Sequence, residues 1–305
     1  MTTQAEGNFE LPDGHKVYTK SYLPAGTPKA KLVFIHGFSD HVGRYHNLFS
    51  HLANRGIAVH SFDQRGWGKS VSKPAQKGLT GPTETVIADV AAFVKHHLNE
   101  PPTIPVFVLG HSMGGGEVLT LACDPKYQDD VVKHVRGWLL ESPFIGFAKE
   151  ETPSWLKIFA GRLAGKILPQ HQLVHALAPE NLSSDPAIVK SLAEDELMHN
   201  TGTLEGFAGL LDRTTALTKG LVRPKGDAVK ALWIGHGTLD KAVSYELAKM
   251  YFDTFTGEVK DKEFKTYEGW FHQLHADGSR SEEFFKDVGD WVLARCGDVS
   301  TGSKL

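Results

Sequence analysis

The pentapeptide Gly110-His111-Ser112-Met113-Gly114 fits the pattern G-x-S-x-G, and its surroundings give a common motif chemical meaning. Ahead of it, Val106-Phe107-Val108-Leu109 is an apolar, β-prone run that reads as a buried strand. Behind it, Gly115 to Ala122 reads as a helix. A serine on a sharp strand-to-helix turn presents its hydroxyl outward, as a nucleophile must. The flanking glycines have a steric reason, because side chains at Gly110 and Gly114 would collide with strand and helix. Gly115 and Gly116 extend the small patch and let the helix approach the sheet. The competing reading is a glycine-rich turn whose serine merely caps the helix. The strand-helix context favours the nucleophile.

A serine hydroxyl is a weak nucleophile at neutral pH, so it needs a base, and the base needs an orienting acid. With this kind of turn the partners follow in the order Ser, Asp or Glu, His, on loops at the carboxyl edge of the sheet. Asp240 lies at that edge and in that order, within Gly235-His236-Gly237-Thr238-Leu239-Asp240, just past the apolar run Ala231 to Ile234. Its rival is Glu141, at the end of the preceding strand, and Asp240 is favoured. Two histidines follow the next strand, in Tyr267-Glu268-Gly269-Trp270-Phe271-His272-Gln273-Leu274-His275. Spacing alone does not separate His272 from His275, although His272 is nearer the strand end, where a turn at Gly269 would aim it back. Donors for a tetrahedral oxyanion would be the Met113 amide and, from the loop His36-Gly37-Phe38, the Phe38 amide. Each such donor is typically worth about 10²–10³ in rate.

Other suggestive stretches read as structural. Asp63-Gln64-Arg65-Gly66-Trp67-Gly68-Lys69-Ser70 lacks both the P-loop spacing and the dinucleotide fingerprint, so no nucleotide is expected. Among the sixteen histidines, His41, His46 and His51 recur every five residues, which is not the i, i+4 spacing of a helical metal pair. No metal or organic cofactor is expected.

The elements that must position these residues alternate in kind. Phe9 to Tyr22 reads as a hairpin turning at Asp13-Gly14. Strand-like Leu32 to Ile35, helix-like Tyr45 to Asn54 and strand-like Ile57 to Phe62 follow. Glu84 to Leu98 is an amphipathic helix with Val86, Ile87, Val90, Phe93, Val94 and Leu98 on one stripe. Gly137 to Leu140 is another strand. Residues 144 to about 212 show helical stretches and no convincing strand, after which Ala231 to Ile234, a helix from Tyr245, Phe264 to Tyr267 and a last helix capped by Ser281 resume the rhythm. Apolar runs alternating with helices imply a mostly parallel sheet of eight strands covered on both faces, the α/β-hydrolase fold, with a helical cap inserted beside the elbow. The expected division is a core over 1–142, a cap over 143–212, and the rest of the core over 213–305 with a flexible tail.

The 305 residues carry a formal charge of −3, with 41% hydrophobic and 23% charged residues, which suits one large domain with an insertion. No basic stripe is available to neutralise phosphates, so nucleic acid is not an expected partner. Residues 1–8 show neither a basic nor an apolar region of the secretory type, and no apolar run is long enough to span a bilayer. Two distant cysteines, Cys123 and Cys296, make a disulfide framework unexpected, with Cys123 a small core residue.

Taken together, these residues resemble the monoacylglycerol lipases of the α/β-hydrolase superfamily over about Phe9 to Ala294. The resemblance rests on Pro28-Lys29-Ala30, on His36-Gly37-Phe38-Ser39-Asp40-His41-Val42-Gly43-Arg44-Tyr45, and on the elbow through Gly115. Gly237-Thr238-Leu239-Asp240-Lys241 and Tyr267 to His272 also carry it. It implies Ser112, Asp240 and His272 as catalytic triad, Phe38 and Met113 as oxyanion hole, and a small polar pocket for a glycerol head group near Asp40, Arg44 and His111. The implied activity is release of a fatty acid and glycerol from a monoacylglycerol or similar monoester. Two departures bear on head-group preference: Asp40 is often glutamate in the family, and Glu196 stands where the family often has proline.

In the cap, Trp155 to Leu163 with Ile167 and Leu168 is apolar on more than one face. Either both faces pack within the protein, or an inner acyl tunnel is matched by an outer surface that contacts lipid, as in similar lipases. The sequence finishes in Ser303-Lys304-Leu305, which at a free C-terminus is a peroxisomal address read by the import receptor; without it the expected location is cytoplasmic. Two alternatives keep the fold and change the function. One is a peroxisomal acyl-CoA thioesterase, or a specialised ester or lactone hydrolase, on the same triad; the other is a non-catalytic binding protein.

Overall fold

Strands that are apolar on both faces are satisfied only inside a sheet covered on both sides. The computed structural model, which describes residues 2–151, 161 and 164–297, shows how this chain meets that demand. Its strands are β1 (Thr3–Glu10), β2 (Lys16–Leu23), β3 (Ala30–Ile35), β4 (Ile57–Phe62), β5 (Val106–His111), β6 (Gly137–Glu141), β7 (Gln172–Val174), β8 (Thr201–Thr203), β9 (Ala231–Gly237) and β10 (Asp261–Tyr267). Eight of them form one sheet in the order β1-β2-β4-β3-β5-β6-β9-β10. From β4 to β10 the pairing is parallel, whereas β1 and β2 form an antiparallel hairpin against the β4 edge. Every residue of β3, β4 and β5 is buried.

The period-two alternation of a strand divides the core into two layers. Val33, Val108, Trp138, Leu140 and Ile234 face one way, against α2 (Thr83–Asn99) and α3 (Met113–Cys123). Phe34, Phe107, Leu109, Leu139 and Trp233 face the other, against α1 (His46–Asn54) and the last helix. The stripe foreseen on α2 is buried through Val86, Ile87, Val90, Phe93 and Val94. Cys123 is buried in the first layer.

The segment between β6 and β9 lies over the carboxyl edge and holds α4 (Pro186–Glu194) and α5 (Leu204–Thr218). It is not free of strands as expected. Antiparallel β7 and β8 pair Gln172 with Thr203, Leu173 with Gly202 and Val174 with Thr201. Three residues are too few to show a period in sequence, which is why this ribbon is silent there. Helix α5 runs without a break through residue 212 to Thr218, so the expected cap boundary falls inside one rod. Its later turns bury Arg213, Thr214 and Leu217 against the core. Most of the apolar stretch Trp155 to Leu163, and the tail with Ser303-Lys304-Leu305, lie outside the described residues.

Two ends differ from expectation. β1 begins at Thr3, six residues before Phe9, because hairpin pairing with Leu23 extends it through polar residues. Ser281 is not an N-cap; it is the first residue of α7 (Ser281–Leu293), whose hydrophobic inner face carries Phe284, Phe285, Val288 and Trp291. The Ser281 hydroxyl accepts from the Asp277 amide at 2.7 Å, which closes the preceding loop instead of the helix. After α5 and before α7, α6 (Tyr245–Phe255) has a true cap, with Ser244 Oγ accepting from the Leu247 amide.

The close approach of α3 to β3 is a steric requirement that can be tested. A Cβ on Gly114 would fall inside the van der Waals radii of the Ile35 and His36 carbonyl oxygens, which are backbone and cannot swing away. Gly114→Ala is expected to lose about 1–3 kcal/mol of stability, read as a lower urea midpoint at unchanged m-value.

Candidate active site

Ser112 is where β5 ends and α3 begins, and its backbone has φ 54° and ψ −119°. A non-glycine residue rarely adopts a positive φ, and the surrounding contacts hold it there. The Ser112 amide donates to the Glu141 carbonyl at 2.9 Å, while the Ser112 carbonyl accepts from the Gly116 and Phe144 amides at 3.0 and 2.8 Å. Glycines permit this crowding: a Cβ on Gly115 would lie 2.9 Å from Pro143 Cα. On the other side, a Cβ on Gly37 would lie 3.1 Å from Ser112 Cβ, so the loop after β3 passes directly over the serine.

That loop is fixed from behind by His36. The Gln64 amide donates to His36 Nε2 at 2.8 Å, so the neutral ring carries its proton on Nδ1 and donates it to the Gly37 carbonyl at 2.8 Å. Gln64 Nε2 also donates to the His36 carbonyl. Burial keeps His36 below its ordinary pKa and thus neutral. The result aims the Phe38 segment at the elbow. The Phe38 and Met113 amides have no hydrogen-bond partner among the described residues, and Met113 opens α3, where unpartnered amides favour negative charge. In the turn Asp63 to Ser70 the Asp63 carboxylate accepts from the Val42 and Lys69 amides.

Asp240 and His272 meet on the opposite loops. His272 Nδ1 lies 2.7 Å from Asp240 Oδ2, and both side chains are almost wholly buried. The same carboxylate accepts from the Ala242 and Val243 amides at 2.9 and 3.0 Å and lies 3.0 Å from His236 Nε2. Burial pushes the Asp240 pKa up, but His272 and His236 outweigh it and hold the group well below the carboxylate range. Burial likewise disfavours a charged His272, yet the Asp240 charge and hydrogen bond leave its pKa above the ordinary value. Nε2 is left as the free ring nitrogen. His236, four residues before Asp240, was not singled out in the sequence, though its position at the strand end was the available signal.

His275 and Glu141 form a second pair instead of competing for the first. Glu141 Oε1 accepts from both the amide and Nδ1 of His275, at 3.0 and 2.7 Å. Burial pushes His275 down to about 3, so it stays neutral. His111 is also driven well below its ordinary value by burial, with its Nδ1 3.5 Å from Glu141 Oε2. Tyr45 covers this group, its ring tilted 33° against that of His275 with centroids 4.2 Å apart, and its hydroxyl donates to Asp40.

Two cavities meet at Ser112. One, of about 260 Å³, is walled by Phe38, Phe144, Phe147, Phe207, Leu211 and Val243. The other, of about 210 Å³, is bounded by Gly37, Asp40, His111, Asn200 and His272. Arg44 is a correction: it does not reach this second cavity. Its Nη1 donates to Asp195 at 2.9 Å, also the partner of His41 Nε2 at 3.0 Å, and Arg44 borders a separate groove between α1 and α4. The acidic partner from the cap draws the guanidinium away.

A buried ion pair ties the cap to the helix that follows the serine. Arg213 Nη2 lies 3.3 Å from Glu117 Oε1, and Nη1 donates to Thr83 Oγ1. Burial pushes Glu117 up to about 7 in spite of Arg213, and pushes Arg213 below its ordinary value, so desolvation outweighs the attraction for both partners. Removing one partner leaves the other charge buried alone. Glu117→Ala is therefore expected to cost about 3–5 kcal/mol in denaturant unfolding, and Glu117→Leu with Arg213→Leu to recover most of it.

A mostly parallel eight-stranded sheet, with a serine at its strand-helix turn and a buried His–Asp pair on later loops, defines an α/β hydrolase. Residues 26–279 match the hydrolase family described as serine aminopeptidase, S33, and the chain belongs to that family. It is 26% identical over 293 residues to a monoacylglycerol lipase of Mycolicibacterium smegmatis, covering 96% of this chain and 98% of that protein. It is 28% identical over 294 residues to the monoglyceride lipase of Homo sapiens, covering 95% and 91%. Among solved structures, a soluble variant of the Saccharomyces cerevisiae monoglyceride lipase, in complex with a substrate analog, superposes with a TM-score of 0.83 at 24% identity, covering 96% of this chain and 95% of that one.

Proposed function

We propose that the chain is a serine ester hydrolase acting on monoacylglycerol or a similar monoester. The observation that carries this reading is the junction at Ser112 of an apolar cavity with a smaller one that has a polar wall of Asp40, His111 and Asn200 facing an apolar wall that includes Leu177, Leu182 and Met198. An acyl chain fits the first and a glycerol head group the second, with the ester carbonyl at the serine. Relatives named as monoacylglycerol lipases along nearly the whole chain support it.

In this mechanism Ser112 Oγ attacks the ester carbonyl while His272 Nε2 takes its proton. Asp240 fixes the proton of the imidazole on Nδ1 and stabilises the imidazolium that forms. The Phe38 and Met113 amides receive the oxyanion. Collapse breaks the acyl–oxygen bond, and His272 returns the proton to the departing glycerol oxygen. Water, deprotonated by His272, then releases the fatty acid from Ser112. Asp40 and His111 contact the head group. No step needs a metal or an organic cofactor.

Ser112→Ala is expected to cut kcat on a monoacylglycerol by about 10⁴-fold or more. His272→Ala should match it, and His275→Ala should be much milder, since His275 is a neutral partner of Glu141. The base form of His272 is the active one, so kcat/KM rises with pH through a pKa above the ordinary histidine value. Asp240→Asn removes the charge that raises it and should move that limb to lower pH while depressing kcat. A panel of monoacylglycerols, acyl-CoAs and an amino-acyl anilide tests the substrate class. A preference for acyl-CoA above about tenfold in kcat/KM, roughly 1.4 kcal/mol, would turn the reading to thioesterase.

The cap exposes Ile167, Leu168, Leu173 and Val174 on the described surface, which supports peripheral contact with a lipid surface. Ser303-Lys304-Leu305 supports recognition by the peroxisomal import receptor. Ile167→Asp with Val174→Asp should weaken vesicle binding and slow turnover of aggregated substrate, with a short soluble ester hardly affected. Deleting residues 303–305 should leave kcat unchanged and move the protein to the cytosol; retention in peroxisomes would exclude the tripeptide as the sole address.

A further inference from the structure

Beside His272, the smaller cavity at Ser112 is bordered by Gln273, which is only 2% exposed. Its backbone is held from both sides. The Gln273 amide donates to the Leu182 carbonyl of the cap at 2.9 Å, and the Gln273 carbonyl accepts from the Ala276 amide at 3.0 Å. Its side chain makes no hydrogen bond to any described residue, and Oε1 is fully enclosed. A buried polar group left unpaired is destabilising, and native proteins keep few of them. The backbone already does the structural task at this position, so the partner of the carboxamide has to come from the cavity.

The charged groups nearby are already engaged. Asp40 accepts from the His41 amide through Oδ1 at 2.7 Å and from the Tyr45 hydroxyl through Oδ2. Arg44 is turned to Asp195, and no lysine or arginine among the described residues borders this cavity. Asn200 is a second neutral group on its wall. The Asn200 amide donates to Ser39 Oγ and its carbonyl accepts from the His175 amide, both at 2.7 Å, while its side chain makes no hydrogen bond to a described residue. The backbone φ of 53° is by itself a reason for asparagine at that position. Gln273 has no such reason, and it carries the argument. A carboxamide offers an acceptor oxygen and two N–H donors, and a half-turn about its last bond exchanges them. A hydroxyl group, which both donates and accepts, matches either orientation.

We propose that Gln273, with Asn200, hydrogen-bonds the alcohol part of the substrate and selects an uncharged head group that carries hydroxyls. This rests on the esterase reading above and sharpens its substrate class. A glycerol ester brings hydroxyls to the carboxamide. An ethyl ester of the same acid brings none and leaves the carboxamide unpaired in the complex, and a site built to pair with a hydroxyl discriminates against the analogue that lacks it. A glycerol ester that also bears a phosphate offers acceptor oxygens, but it brings negative charge towards Asp40 with Arg44 committed elsewhere, and like charges without a cation between them repel. The position of Gln273 suits the chemistry. It follows His272 directly, so it holds the departing alcohol beside the ring that must return a proton to it.

The test compares three esters of one fatty acid in the same detergent micelles: the monoacylglycerol, the ethyl ester and the acylglycerol phosphate. The full-length protein should favour the monoacylglycerol over each of the others by about tenfold or more in kcat/KM. Gln273→Met, similar in length and without polar hydrogen-bonding groups, should lower the ratio of monoacylglycerol to ethyl ester by about three- to tenfold, the worth of one neutral hydrogen bond. Its Tm should not fall, because the carboxamide has no protein partner to lose. Asn200→Gly keeps the left-handed backbone, removes the second carboxamide and should lower the same ratio again in the double variant. An unchanged ratio in Gln273→Met would overturn the assignment. So would equal losses on all three esters together with a lower Tm, the mark of a packing role, or a wild-type preference for the phosphate ester. A wild-type chain inactive on every ester would instead remove the esterase reading itself, and this assignment with it.

Discussion

Everything at the site follows from one backbone constraint, the forced turn at Ser112. A serine held at φ 54° would relax unless its neighbours left it no room. They leave none: Gly110 packs on the Gly114 carbonyl, Gly114 on the end of β3, and Gly37 on Ser112 itself. The glycines are thus one contact surface shared by a strand, a helix and a loop. Its consequence is that the serine, two unpartnered amides and the later loops are placed by the same backbone packing. Side-chain flexibility has little part in it.

Two histidine–carboxylate pairs sit side by side with opposite character. In one, Asp240 is supplied with four donors and stays ionised, so it raises His272. In the other, Glu141 shares burial with three rings and no surplus of donors, its Oε2 without a hydrogen bond, and His275 stays neutral. The residue types are nearly the same. What differs is the number of backbone amides and rings that face each carboxylate.

The cap is bound to the core through polar contacts as well as apolar ones. Asn200 donates from its amide to Ser39 Oγ at 2.7 Å, next to Phe38 on the loop over the serine. Arg213 reaches Glu117 on α3, and Arg44 reaches Asp195 on the cap. These links run to both sides of the site, so cap position and loop position are not independent. A cap held only by apolar packing would slide more freely, because such contacts are not directional.

By itself the sequence determined the periodic and the local. The apolar runs of β3 to β6 and β9, the stripe of α2 and the glycine pattern of the elbow are legible because each is a property of a few adjacent residues. The candidate residues Ser112 and Asp240 were legible through chain order along parallel strands. Spacing did not choose between His272 and His275, and a family resemblance was needed to do so. Only the tertiary structure decided which histidine each carboxylate takes, for Asp240 meets His272 and Glu141 meets His275 across 32 and 134 residues. It also decided that Arg44 turns to Asp195 and that β7 and β8 pair. Those choices depend on distances between elements far apart in the chain, and on burial, which sets protonation. Neither quantity is written in any local stretch of residues.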